Sequence, residues 1–273
     1  MTSTPLRKDA SPAEIAMRLV SARLDGRALD AFPGEIPTTL EAAYATQEVA
    51  IHVWPDDVVG WKIGLVAPEL RERLGSERLA GPVFSKALWW AEGAGEEIGF
   101  PVFVGGFAAV EAEYLFRMGA DAPAAKTDWT DDEAASLVAA VHIGVETAGS
   151  PMAFINDLGA CVVASDFGNN AGLIVGPEVR IWRARLGDLA AKTEIDGRVV
   201  GEGRAMGLPG GPMAGLRFLL SHLASRGRPL KAGQFVSSGA VTGVHDIRAG
   251  EGARLSFGAD GIILCRAEPR VPG

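Results

Sequence analysis

Val58-Val59-Gly60-Trp61-Lys62-Ile63-Gly64-Leu65 is where the chain changes texture, and the fold is read outward from it. The run is β-branched and apolar apart from one lysine, which predicts a strand with Lys62 at its middle. Gly60 and Gly64 leave room for another backbone or a ligand to come close. Upstream the sequence is helical. Ser11-Pro12-Ala13-Glu14 is a capping box with proline at the first helical position, opening an amphipathic helix to about Leu24. After a Pro/Gly linker over Phe32-Pro33-Gly34-Glu35-Ile36-Pro37, Thr38-Thr39-Leu40-Glu41 starts a second helix to about Val53. Residues 1–57 are therefore expected to form a small helical N-terminal region, and residues 58–273 a sheet-rich domain.

Downstream, short strand-like runs are separated by Gly, Pro and Asp. Pro68 opens a short helix that ends at Gly75, and Ala109–Phe116 reads as a strand with a polar and an apolar face. Thr130-Asp131-Asp132-Glu133 caps another helix, which leads into an apolar run ending at Glu146. Ile155–Ala164 is a short helix or turn-rich connection, and Gly172–Val175 a strand. Asp196-Gly197 supplies the positive φ angles of a hairpin turn. A long helix spans about Met213–Arg226, and strands follow at Phe235–Ser238, Ala253–Phe257 and Ile262–Ala267. Sheet with a few covering helices and many glycine-marked bends predicts a mixed α+β fold built on a rolled sheet. The regular alternation of a doubly wound fold is absent.

Composition narrows the chemistry. The 273 residues include 26 Lys+Arg and 34 Asp+Glu, a formal charge of −8, which argues against nucleic acid and anionic membranes as partners. Two cysteines in apolar contexts and four histidines without ligand spacing make a nitrogen or sulfur metal cage improbable, so a metal here is held by oxygen. His52 and His222 fall on predicted helices and read as solvated; His142 could lie buried beside Glu146, and His245 sits in a loop. Met1–Ala10 is polar, with no secretory signal, and no apolar run approaches the ~20 residues that span a bilayer, so a cytoplasmic protein is expected. Gly201-Glu202-Gly203-Arg204-Ala205-Met206-Gly207 fails the dinucleotide spacing and follows a hairpin, which excludes a nicotinamide or flavin site there.

Glu111-Ala112-Glu113 is the sharpest local feature. On a strand both carboxylates project from one face, with Cα atoms about 7 Å apart, and repel unless a cation or shared proton lies between them. Taken alone the pair is equally an exposed strand face. Its flanks are apolar on both sides, however, and a third acid, Glu146, ends the apolar run 141–145, where an unpaired buried carboxylate is costly. Three carboxylates from two strands, completed by water, make a Mg²⁺ or Mn²⁺ site. Lys62, if desolvated, has its pKa lowered toward general acid-base use; the plainer reading is a lysine snorkelling from a sheet edge. Ser165-Asp166-Phe167-Gly168-Asn169-Asn170 is a small polar loop, either ligand-binding or a helix-to-strand turn.

These residues, taken in order, resemble the fumarylacetoacetate hydrolase superfamily, in its 2-keto-4-pentenoate hydratase and 4-oxalocrotonate decarboxylase branch. The resemblance runs from about Ala43 to Arg266. It rests on Gln47, the 60–65 strand, Gly81-Pro82-Val83-Phe84, Glu111-x-Glu113, Glu146, Ala164-Ser165-Asp166, Leu230-Lys231-Ala232-Gly233-Gln234 and Ser238-Gly239-Ala240-Val241-Thr242-Gly243. It implies a β-roll carrying Mg²⁺ or Mn²⁺ on Glu111, Glu113 and Glu146. Lys62 and Asp166 take catalytic roles, and Asn169 and Thr242 contact a short 2-keto acid. It further implies a homo-oligomer, with Trp89-Trp90 at an interface or in the core, and a place in aromatic-compound catabolism. The implied reaction is hydration of a 2-hydroxydienoate. Decarboxylation of a 2-keto acid, carbon-carbon hydrolysis of an acylpyruvate and non-catalytic keto-acid binding stay open. The chain departs from the hydratase pattern at Lys86, where an acid is usual, after Glu146, where an arginine is missing, and at Ser165–Asn169.

Overall fold

The computed structural model describes residues 10–91 and 95–271; most of the polar opening read above lies outside them. The elements in chain order are α1 (Pro12–Leu24), α2 (Leu40–Val53), β1 (Val58–Leu65), α3 (Pro68–Leu74), β2 (Arg78–Phe84), β3 (Leu88–Trp90), β4 (Glu97–Val102) and β5 (Phe107–Met118). They continue with α4 (Asp131–Ser136), β6 (Val138–Ser150), α5 (Ala160–Ser165), β7 (Asn170–Glu178), α6 (Trp182–Arg185), β8 (Ala190–Ile195), β9 (Arg198–Arg204) and α7 (Gly211–Ser225). Strands β10 (Phe235–Ser237), β11 (His245–Asp246), β12 (Gly252–Ser256) and β13 (Ile262–Pro269) complete the chain.

Two sheets carry the fold. The larger has the order β2-β1-β10-β5-β6-β7-β3, with β11 also paired to β5, and the smaller has the order β4-β13-β12-β8-β9. Both are mixed: β1 runs parallel to β10, β3 to β7 and β13 to β4, and the other pairs are antiparallel. The α+β class and the curled sheet are as the sequence predicts, and the turn from helix to strand falls at Val58, the first residue of β1.

Long β5 and β6 lie at the centre of the larger sheet and are buried on both faces. Val110, Ala112, Tyr114 and Phe116 point into the main core with Trp61, Ile63 and Leu255. On the other face Leu115 packs with Val83, Leu173 and Phe235. The acids of β5 share that second face, which is apolar at Phe107, Ala109 and Leu115 and ends at the exposed Arg117. The strand is therefore enclosed on both sides, where the sequence suggested one polar face.

The region after β1 holds the main element that the sequence leaves unread. β2 contains Gly81-Pro82, a pair that argues against a central strand. As an edge strand it tolerates the missing proline N–H, and Pro82 faces Trp61 across the ladder. Gly81 is required by a close approach, because a Cβ there would lie 1.9 Å from the carbonyl oxygen of Phe167. Gly60 behaves as expected: a Cβ would meet the Phe235 carbonyl of β10 at 2.7 Å.

The N-terminal helices are tied to this body by buried polar contacts. Gln47 of α2 donates to the carbonyls of Ala80 and Ala164 at 2.9 and 2.7 Å. Arg23 of α1 reaches the loop before β7, as described below. No helix among the described residues is long and apolar enough to cross a membrane.

Candidate metal centre

The register of β5 against β6 builds the site. Glu111 pairs directly with Glu146, and Glu113 with Gly144, so three carboxylates reach one face from adjacent strands. One ligand oxygen from each lies within 4.8 Å of the others. Glu113 and Glu146 are fully buried and Glu111 is 6% exposed. Lys62 comes from β1, is 5% exposed, and its Nζ lies 3.2 Å from Glu146 Oε1.

Two of the carboxylates are held by one oxygen and leave the other unclaimed. Glu146 Oε1 takes Lys62 and the Asn170 side-chain amide, the latter at 3.1 Å. Glu113 Oε2 accepts from the Ser237 hydroxyl and from the Gly239 backbone N–H, the latter at 2.9 Å. Glu146 Oε2 and Glu113 Oε1 are buried with no hydrogen-bond partner. Burial, then Glu146, push Glu111 and Glu113 well above the ordinary carboxylate range. Three acids face one ammonium in a buried site, so without a further cation the surplus carboxylates are driven to hold protons. A divalent cation would displace those protons and give the unpartnered oxygens a ligand role, so the donor set fits a hard metal such as Mg²⁺ or Mn²⁺.

Lys62 differs from the sequence reading. Burial lowers its pKa, but Glu146, Glu111 and Glu113 outweigh burial and hold the ammonium above the ordinary lysine value. It is buried and ion-paired, which removes the alternative of a snorkelling surface lysine.

The site opens into a cavity of about 550 Å³ lined by Lys62, Glu111, Arg78, Asn169, Ser238 and Gly239 among others. Asn169 stands at a positive φ of 65° in the tight turn after α5. Its Oδ1 and the Ser238 hydroxyl are buried without partners.

Asp166 and Thr242 are placed elsewhere. Asp166 does not line the cavity: its Oδ1 takes Arg23 Nε at 2.5 Å and its Oδ2 the Ser150 hydroxyl at 2.6 Å. One oxygen is in a buried ion pair and the other accepts from a serine hydroxyl, so both are engaged away from the cavity and the geometry gives Asp166 a positioning task. Thr242 is likewise absent from the lining, its hydroxyl held by Thr193 at 2.8 Å and His245 at 3.2 Å. The neighbouring Gly243 and Val244 form that stretch of wall.

Several further placements bear on the sequence reading. His142 is buried but bonds the Gly176 carbonyl and packs on Trp90 and Phe235, with no contact to Glu146. His222 is no solvated helix residue: it lies between Tyr44 and Phe218, where burial lowers its pKa to about 4. The segment after Glu146 has no arginine, and the guanidinium beside it is that of Arg23, which donates to the carbonyls of Gly149, Asp166 and Asn170. Arg23, Ser237 and Arg78 escape a reading of the sequence alone, and Asn170 is read there only as part of a polar loop. Arg23 is 143 residues from its partner, and serine or asparagine in a loop has no distinguishing pattern.

No family model matches the chain. It is 26% identical over 257 residues to 2-keto-4-pentenoate hydratase 2 of Dechloromonas aromatica (strain RCB), covering 92% of this chain and 95% of that protein. It is 28% identical over 242 residues to 2-keto-4-pentenoate hydratase of Burkholderia vietnamiensis (strain G4 / LMG 22486), covering 85% and 88%. Among solved structures, 4-oxalocrotonate decarboxylase from Pseudomonas putida G7, complexed with magnesium and adipate, superposes with a TM-score of 0.76 at 19% identity over 94% of this chain and 97% of that one. Fumarylpyruvate hydrolase from Pseudomonas aeruginosa, in complex with Mn²⁺ and pyruvate, gives 0.55 at 16% identity over 77% and 89%.

The fold is shared with fumarylacetoacetate hydrolase superfamily structures, and along most of its length the chain is similar to metal-dependent enzymes of that superfamily. The similarity is to the 2-keto-4-pentenoate hydratases in sequence and to 4-oxalocrotonate decarboxylase in fold.

Proposed function

We propose that the chain is a Mg²⁺- or Mn²⁺-dependent hydro-lyase acting on a short 2-hydroxydienoate, the enol form of a 2-keto-4-enoic acid, in the breakdown of aromatic compounds. The observation that carries this is the buried Glu111-Glu113-Glu146 set, with two unclaimed oxygens and Lys62 against it. Relatives named 2-keto-4-pentenoate hydratase along most of the chain support the substrate class.

Glu111, Glu113 and Glu146 would hold the cation. When bound, the cation supplies Lewis-acid stabilisation of the negative charge that develops on the 2-oxygen of a keto acid. Lys62 holds the mobile proton. The three carboxylates hold that proton on Nζ; Lys62 gives it to the terminal carbon of the dienoate and recovers one from the water whose oxygen bonds to C4, while the enol proton passes to C3. Ser237 and the Gly239 N–H keep Glu113 aimed, and Asn170 does the same for Glu146. Asn169 Oδ1 and the Ser238 hydroxyl, both without partners, orient the substrate. The aliphatic wall of Ile63, Leu70, Leu79 and Val163 shields the reacting carbons from bulk water.

Incubation with 2-hydroxypenta-2,4-dienoate and Mg²⁺ tests the reading. Loss of the dienoate ultraviolet band, with a 4-hydroxy-2-oxo acid in the proton spectrum, is the expected result. Lys62→Met lowers kcat by about 10²–10⁴ while retaining Mn²⁺ binding. Release of CO₂ from a 2-oxo dicarboxylate without hydration assigns decarboxylation to the same site. Two acid products from an acylpyruvate assign carbon-carbon hydrolysis, and metal-dependent binding with no turnover assigns a keto-acid-binding protein. The reading carries with it a homo-oligomer, to be measured by light scattering; a mass equal to the single chain, 28.5 kDa, contradicts that part.

A further inference from the structure

A second cavity, of about 200 Å³, shares the 167–170 turn with the metal centre. Its walls are aromatic: Trp54, Phe84 and Phe167 meet pairwise with ring centroids 5.0 to 5.4 Å apart. Three cations line it, Arg23, Lys86 and Arg270. Arg23 is neutralised by Asp166, and Lys86 lies against Asp56, which accepts its backbone N–H at 2.8 Å. Arg270 has no carboxylate partner among the described residues. Its guanidinium stacks 5.1 Å from the centre of the Phe103 ring, the same ring that Arg23 meets at 5.7 Å. Two guanidinium groups on one ring with one acid between them leave a positive charge in a partly buried, apolar recess. Burial, then the charge of Arg23, lower the pKa of Arg270. The missing component is an anion.

The cavity is wired to the metal site by two hydrogen bonds. Arg23 donates to the Asn170 carbonyl at 3.0 Å, and Asn170, which lines the second cavity, donates its side-chain amide to Glu146. Phe167, on the same wall, belongs to the turn that sets Asn169 in the main cavity. Lys86, the residue that departs from the hydratase pattern, stands exposed on this cavity and does not line the main one.

We propose that this recess is an effector site for a small planar carboxylate, held by Arg270 between the aromatic walls and read by the metal centre through Arg23, Asn170 and Glu146. The coupling rests on the metal reading above; the carboxylate site does not. Flat rings on the walls favour a planar acid over a tetrahedral anion, and the volume admits a single ring with its carboxylate.

Benzoate, titrated by calorimetry into the chelator-treated full chain in chloride buffer, is the probe. One saturable site per chain is expected, at least tenfold weaker in Arg270→Met and within twofold of wild type in Lys62→Met. Lys86→Glu, at an exposed position, weakens it at least fivefold and keeps the test usable should Arg270→Met fail to fold. Mn²⁺ affinity, followed by electron paramagnetic resonance of the free ion, shifts at least threefold with saturating benzoate in wild type and not in the Arg270 or Lys86 variant. The same factor appears in benzoate affinity when Mn²⁺ is added. The proposal is overturned by absence of saturable binding, by binding indifferent to both variants, by loss of binding in Lys62→Met, or by a Mn²⁺ affinity that benzoate leaves unmoved. Failure of wild type to bind Mn²⁺ without benzoate contradicts the metal reading and removes the coupling, while the Arg270 and Lys86 comparisons still decide the carboxylate site.

Discussion

Glu113 and Asp166 are both buried acids, and their partners give them opposite tasks. Glu113 keeps one oxygen free beside two other acids, whereas both oxygens of Asp166 are taken by Arg23 and Ser150. Glu113→Gln is therefore expected to remove most of the rise in melting temperature that Mn²⁺ gives the wild type, because stabilisation follows affinity for the folded state; an undiminished rise in the variant contradicts the assignment. Asp166→Ala leaves Arg23 buried and unpaired, which costs about 3–5 kcal/mol in denaturant unfolding. Arg23→Met in the Asp166→Ala background recovers part of that loss, and strict additivity in the cycle contradicts the pairing. The three-carboxylate cluster is legible from sequence because the two-residue period of a strand puts Glu111 and Glu113 on one face, and an acid ending an apolar run needs a reason. Asp166 is misleading for the opposite cause: its partner lies in the first helix, and no local pattern announces it.

Strand β1 and helix α7 illustrate what holds the site in place. β1 is readable to its ends because β-branched residues, glycines and flanking turn signals agree, whereas β2 is hidden by Gly81-Pro82. That glycine lets β2 pass under the turn that carries Asn169, so Gly81→Ala must displace the Phe167 carbonyl. A loss of about 3 kcal/mol, with weaker keto-acid binding, is expected from denaturant and calorimetric titration; an unchanged midpoint would show that the approach does not matter. In α7, His222 is neutral between Tyr44 and Phe218, its pKa lowered to about 4 by burial and then by Arg226. The unfolded chain binds a proton near pH 6.5 and the folded chain does not, so this group's stabilisation is present above about pH 6.5 and is lost as pH falls toward 4. By pH 5 the loss is about 2 kcal/mol, and His222→Phe should flatten that part of the stability curve in denaturant titrations at pH 5 and 7. An identical pH slope in the variant contradicts the burial argument. The helix itself follows from its leucine stripe; the burial of its histidine depends on α2 packing against it and has no sequence signal.

Across the whole molecule, β1 pairs with β10, and β10 with β5, so residues from opposite ends of the chain frame one pocket. The class of fold is legible because strand-rich texture, hairpin signals and missing helix alternation exclude the other architectures. Strand order is not, since the pairing of Gly60 with Phe235 depends on the closed structure and on no local pattern. The same closure buries Lys62, Glu111, Glu113 and Glu146 together at the head of the cavity, three acids around one ammonium. The direct test is calorimetric titration of Mn²⁺ into the chelator-treated full chain, wild type beside Glu113→Gln. Saturable binding of one ion per chain is predicted in wild type, weakened at least tenfold in the variant; no binding in wild type, or equal binding in both, contradicts the metal assignment.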